Sequence, residues 1–87
     1  MYKILLTRKA DKELEKFSTK ESLTILNKIR ELSFPLPDFL NIKKLSGLKD
    51  GYRLRVGKVR IIFEIDHKVK IIWIRKIGFR KDIYRFS

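Results

Sequence analysis

The apolar positions of this chain change period partway along it. Tyr2 to Leu6 is a short apolar run that predicts a strand. Thr7 is placed to cap the segment Arg8 to Phe17, in which Ala10, Leu14 and Phe17 fall on one helical face. Ser18 and Glu21 have the spacing of a capping box, and the segment after them puts Leu23, Leu26, Ile29 and Leu32 on one stripe with Ile25 beside it. This second helix is predicted to stop near Ser33, because Pro35-Leu-Pro37-Asp38 cannot continue it. An irregular crossing then runs to about Asp50.

From Tyr52 the period becomes two. Tyr52–Val56, Val59–Ile65 and Val69–Ile77 read as three antiparallel strands, with turns at Gly57-Lys58 and near Asp66-His67. The last has apolar residues of both parities, Ile71 and Trp73 against Ile72 and Ile74, so it reads as a central strand covered on both faces, with Trp73 in the core. Gly78 ends it, and Phe79 to Arg85 forms a short tail with Arg80 and Tyr84 on one side. The expected architecture is α+β: an N-terminal strand, a helical hairpin, an antiparallel sheet of three further strands and a C-terminal tail. Eighty-seven residues make one domain, 1–87.

The hairpin at Gly57-Lys58 carries the most information. A two-residue loop with Gly first suits a type II′ turn, which sets Val56 opposite Val59 and Arg55 opposite Arg60, with Arg53 one step diagonal on the same face. Like charges directly opposite each other destabilise a sheet. Three guanidinium groups held this close imply an anion, and the planar fork of arginine suits phosphate.

Charge extends this reading. The net charge is +12, with nine Lys or Arg and six acids through residue 43 but thirteen and four after it. In the helical half the acids are interspersed, and the basic residues read as a solvated surface. The second half, with six arginines on strands that also carry aromatics, reads as a polyanion-binding face. A membrane surface fits less well, since the basic residues are not on an amphipathic helix.

Other chemistries find little support. There are no cysteines for disulfides or thiolate sites, and a reducing cytoplasm is the compatible compartment. His67 is the single histidine and sits in a turn. No apolar run approaches the roughly 20 residues of a membrane span. The carboxylates of the second half, Asp50, Glu64, Asp66 and Asp82, are scattered, whereas a two-metal nuclease needs them to converge. No metal or cofactor is expected. For DNA the arginines would only bind. RNA supplies its own nucleophile in the 2′-hydroxyl, so a protein that aligns it and neutralises charge growing on the phosphate can cut without metal or imidazole.

The stretch Lys44-Leu-Ser-Gly-Leu-Lys-Asp-Gly-Tyr-Arg-Leu-Arg-Val-Gly-Lys-Val-Arg-Ile-Ile-Phe-Glu64, followed by Ile77-Gly-Phe-Arg-Lys-Asp-Ile-Tyr-Arg85, resembles the RelE family of toxin-antitoxin toxins. The order of elements before it extends the likeness over the whole chain. The resemblance implies a toxin that enters the ribosomal A site, cuts mRNA there by 2′-hydroxyl attack and is blocked by a RelB-like antitoxin. Carried over by position, Arg60 would stabilise the scissile phosphate, Arg80 would support the leaving oxygen and Tyr84 would stack on or orient the substrate. Arg53 and Arg55 match positions that are lysine in some members and are assigned to phosphate binding, with Lys58 and Arg85 as further RNA contacts. Ser46 departs from a position that is basic in some relatives. Other readings are a ParE-like inhibitor of DNA gyrase on the same topology, a non-catalytic RNA-binding module, or an interaction protein for an acidic partner. Residue by residue, Arg55 and Arg60 also fit an exposed sheet face, and Tyr84 a surface aromatic.

Overall fold

A computed structural model describes residues 1–83, with the side chains of residues 1–81. Strand β1 (Lys3–Leu6) leads into helix α1 (Arg8–Leu14), and helix α2 (Thr19–Arg30) follows. Four strands come next: β2 (Ile42–Lys44), β3 (Gly51–Val56), β4 (Val59–Asp66) and β5 (Ile71–Phe79), then a short helix α3 (Arg80–Ile83). No helix among the described residues is long and apolar enough to cross a membrane.

Both long helices start where the sequence says they should. The Thr7 hydroxyl accepts the Ala10 N–H at 3.1 Å. Ser18 and Glu21 form a reciprocal capping box, two contacts of 3.1 Å that satisfy donors the first turn leaves without partners. Helix α1 stops at Leu14, short of the expected Phe17, because the chain must turn at once into α2. Phe17 is half-buried just beyond it.

The five strands form one mixed sheet in the order β1-β5-β4-β3-β2. Strand β1 pairs parallel with β5 and every other pair is antiparallel. The sequence reading therefore has the class right but misses β2, inside the supposed irregular crossing, and the parallel β1. The middle strand is β4, buried on both faces from Val59 to Phe63, rather than β5. Strand β5 also runs two residues past its expected end, through Gly78 and Phe79, and starts at Ile71 after a longer turn.

The helices cover one face of the sheet. Leu54, Ile61, Phe63, Ile72, Ile74 and Ile77 pack there against Ile25 and Ile29 of α2 and Ala10 and Leu14 of α1. Each of the larger side chains contributes about 1.5–3 kcal/mol by leaving water. Two expected core residues lie elsewhere. Leu23 is 55% exposed because the face that α2 buries is set by Ile25, Ile29 and Leu32, about 140° round the helix from it. Trp73 is half-buried on the other face, opposite Glu64, outside the core cluster.

Candidate functional site

The second sheet face is where the basic residues gather, and the Gly57-Lys58 hairpin organises it. Gly57 has φ 58°, and Lys58 does not share that positive φ, the combination a type II′ turn requires. The register is as expected, with Val56 opposite Val59 and Arg55 opposite Arg60. The Arg55 N–H turns outward to the Asn41 carbonyl at 2.9 Å, so Arg55 and Arg60 form a non-hydrogen-bonded pair, the closer of the two antiparallel spacings. Two like charges thus occupy the arrangement in which side chains approach most nearly.

The end of β5 brings in the remaining groups. Arg60 faces Gly78 and Val59 faces Phe79. The Arg80 N–H then donates to the Lys58 carbonyl at 3.0 Å, which fixes the start of α3 against the hairpin turn. Phe79 is held from behind by Phe17, with ring centroids 5.0 Å apart. The result is a groove of about 600 Å³ lined by Arg55, Gly57, Lys58, Arg60, Phe79, Arg80 and Lys81: five cations and, among the described residues, no acid.

Arg60 is only 5% exposed, so the exposed-face reading does not hold for it. Its Nη1 donates to the Gly57 carbonyl at 2.8 Å and to the Val59 carbonyl at 3.2 Å. A guanidinium is planar and presents its donors as a fork, so bracing one nitrogen on the turn orients the whole group. Arg55, Lys58, Arg80 and Lys81 are exposed around it. An anion entering the groove meets one positioned guanidinium and four exposed cations.

Of the residues singled out from sequence, Arg55, Lys58, Arg60 and Arg80 come together. Arg53 lies on the same face, two residues along β3 and opposite Ile62, but does not line the groove. Tyr84 and Arg85 lie outside the described residues. Phe79 and Lys81 line the groove and were not chosen from sequence, although their position beside Arg80 after Gly78 was a usable signal. A second cleft of about 310 Å³, apolar at Ile25, Val56 and Val59, adjoins the groove and shares Lys58 and Phe79 with it.

The remaining polar groups are engaged elsewhere. Glu64 pairs with Arg75. His67 sits at the far end of β4, where its Nδ1 meets the Tyr2 hydroxyl at 2.8 Å and its Nε2 lies 3.7 Å from Asp50. Among the described residues no group of three or more His, Asp or Glu side chains could hold a metal ion. Lys76 is held below the usual ammonium range by partial burial and by Lys9 beside it, with Glu13 opposing the shift.

A small α+β fold with a mixed five-stranded sheet agrees with what the chain matches among known proteins. The family described as ParE toxin of type II toxin-antitoxin system, parDE, matches residues 4–84. A curated protein of Methanocaldococcus jannaschii named RelE1, a candidate toxin, is 31% identical over 74 residues, 85% of this chain and 81% of that protein. Among solved structures, the archaeal RelE–RelB complex from Pyrococcus horikoshii is 28% identical with a TM-score of 0.77, covering 91% of this chain and 94% of that one. The RelB–RelE antitoxin-toxin complex from Methanococcus jannaschii is 29% identical with a TM-score of 0.71, covering 94% and 96%. The chain belongs to the RelE/ParE family of toxins from type II toxin-antitoxin systems.

Proposed function

We propose that residues 1–87 act as one toxin domain, a metal-independent endoribonuclease that cuts mRNA in the ribosomal A site and so stops translation in the cytoplasm. The observation that carries this reading is the convergence of Arg55, Lys58, Arg60, Arg80 and Lys81 on one groove that no acid among the described residues lines. In the proposed step the 2′-hydroxyl oxygen attacks the adjacent phosphorus and the bond from phosphorus to the 5′-oxygen breaks. A 2′,3′-cyclic phosphate and a 5′-hydroxyl result. Arg60 stabilises the charge growing on the non-bridging oxygens and Arg80 supports the departing 5′-oxygen. Arg53, Arg55, Lys58 and Arg85 hold the flanking phosphates, and Tyr84 orients the base. A guanidinium group holds its proton too tightly to act as a proton acceptor, so Arg60 and Arg80 are assigned to charge stabilisation alone and no residue is assigned as the base. The ribosome, by holding the mRNA in an attack-ready geometry, supplies the alignment.

The relatives crystallised with RelB support a cognate antitoxin as partner. Its acidic residues would cover the Arg60 groove while its apolar side enters the neighbouring cleft at Ile25, Val56 and Val59. The family match to ParE also favours a second reading, inhibition of DNA gyrase. Primer-extension mapping of mRNA ends after expression separates the two. Wild type is expected to create new 5′-hydroxyl ends in codons, and Arg80→Ala to lose them while staying folded. Intact mRNA together with inhibited gyrase supercoiling would replace the first reading with the second.

A further inference from the structure

The sheet face that turns away from α1 and α2 is ordered in rows, because residues paired across strands point to the same side. Arg60 shares its row with Arg55, and the row two residues further along β4 holds Ile62 with Arg53 and Lys43. The next row holds Glu64, Trp73 of β5 and Leu5 of β1. Successive rows are about 6.8 Å apart, so Trp73 lies roughly 14 Å along β4 from Arg60.

Trp73 does no work in the core. Its neighbours Ile72 and Ile74 are fully buried on the helix side, while the indole stays half-buried on the open face. Among the described residues, none hydrogen-bonds to the indole or packs a ring or a cation on it. Leu5 lies beside it and Ile62 diagonal to it, which gives an apolar floor. The acid in the same row does not repel an incoming anion, because Glu64 is paired with Arg75. A surface indole on an open, cationic sheet is a stacking platform for unpaired bases.

We propose that Trp73 is a base-stacking subsite, on which an RNA strand with one phosphate at Arg60 lays the base two nucleotides away. The row spacing is close to the step between successive phosphates of an extended strand, so each nucleotide advances one row. Arg53 and Lys43 follow the backbone between the two sites. The cations call for a polyanion and the indole selects one that carries rings, which an acidic peptide does not supply. Base-paired RNA is excluded, since its bases are already stacked on one another. Stacking strength sets the preference, so purines are favoured over pyrimidines at this position. The inference rests on the proposed function only in taking a single RNA strand as the occupant of the Arg60 groove.

Trp73 is the single tryptophan of the chain, so its fluorescence reads the subsite directly. The test titrates the whole chain with a short 2′-O-methyl oligoadenylate, which has no free 2′-hydroxyl and cannot be cut, at about 50 mM KCl, where phosphate contacts are strong. Saturable quenching of the indole emission is expected, and an abasic strand with the same number of phosphates is expected to bind without it. Trp73→Leu keeps apolar bulk and removes the stacking face. Its affinity for fluorescein-labelled oligoadenylate, measured by anisotropy, is expected to fall about 5- to 150-fold, the range for losing one stacked base. Circular dichroism checks that the variant is folded, and the wild-type quenching stands without it. Equal quenching by the abasic strand, or unchanged affinity in folded Trp73→Leu, would overturn the inference. So would quenching by polyglutamate as deep as by RNA, which would mark the face as a site for an acidic protein. The two proposals fail separately: base-dependent quenching by a chain that never cleaves mRNA on ribosomes refutes the reaction and keeps the subsite, and cleavage without such quenching does the opposite.

Discussion

Arg60→Met separates the two things Arg60 does. Methionine keeps an apolar stem in the buried position and removes the guanidinium. The Gly57 carbonyl lies on an exposed turn and regains water, and the Val59 carbonyl keeps its ladder bond from the Val56 N–H, so neither is left unsatisfied and the loss is that of the two bonds from Nη1. Losing them costs about 0.5–1.5 kcal/mol each. Against this, removing one charge from the close Arg55–Arg60 pair returns about 0.2–1 kcal/mol. The net expectation is a destabilisation of about 1–2 kcal/mol. For a domain of this size that lowers the melting temperature by about 4–16 °C, which thermal circular dichroism resolves easily. Activity should fall much further. If Arg60 stabilises the charge on the phosphate, its loss lowers single-turnover cleavage on programmed ribosomes by about 10²–10³, measured where both proteins are folded. Cleavage within about threefold of wild type by a folded variant, far short of that loss, would remove Arg60 from the chemistry. An unchanged melting temperature would show that its brace on the turn contributes nothing to the fold.

Three smaller changes test other parts of the structure. Arg55→Thr, at an exposed β position facing Arg60, is expected to raise the melting temperature by about 1–8 °C through relief of like-charge contact while weakening RNA binding, so a stabilised variant with undiminished RNA affinity would take Arg55 out of the binding face. Lys70 has φ 57° in the β4–β5 turn, a conformation that costs a residue with a Cβ about 1 kcal/mol, and Lys70→Gly is expected to recover most of that in urea unfolding, with no gain refuting the strain. Lys76→Gln bears on pH. Because the folded state disfavours the Lys76 ammonium, the full penalty is present at neutral pH, and wild-type stability rises only as pH climbs from the lowered folded value towards the ordinary 10.5. The variant is therefore expected to be more stable than wild type at neutral pH, with the gap narrowing in alkaline urea titrations, and a gap that widens would reverse the sign.

What could be read from sequence depended on whether the deciding interactions were local. The hairpin register was legible because Gly57 fixes the turn, and strict alternation then leaves Arg55 and Arg60 only one face. The caps at Thr7 and Ser18 were legible for the same reason, since each closes within three residues. Strand β2 was not, because Ile42-Lys-Lys44 holds a single apolar residue and becomes a strand only by pairing with Tyr52–Leu54 at the sheet edge. The phase of α2 was misjudged at Leu23, although Ile25, Ile29 and Leu32 at spacings of four and three were the tighter pattern. The burial of Arg60 was equally hidden, since it follows from Nη1 folding back onto the turn and from β5 continuing past Gly78.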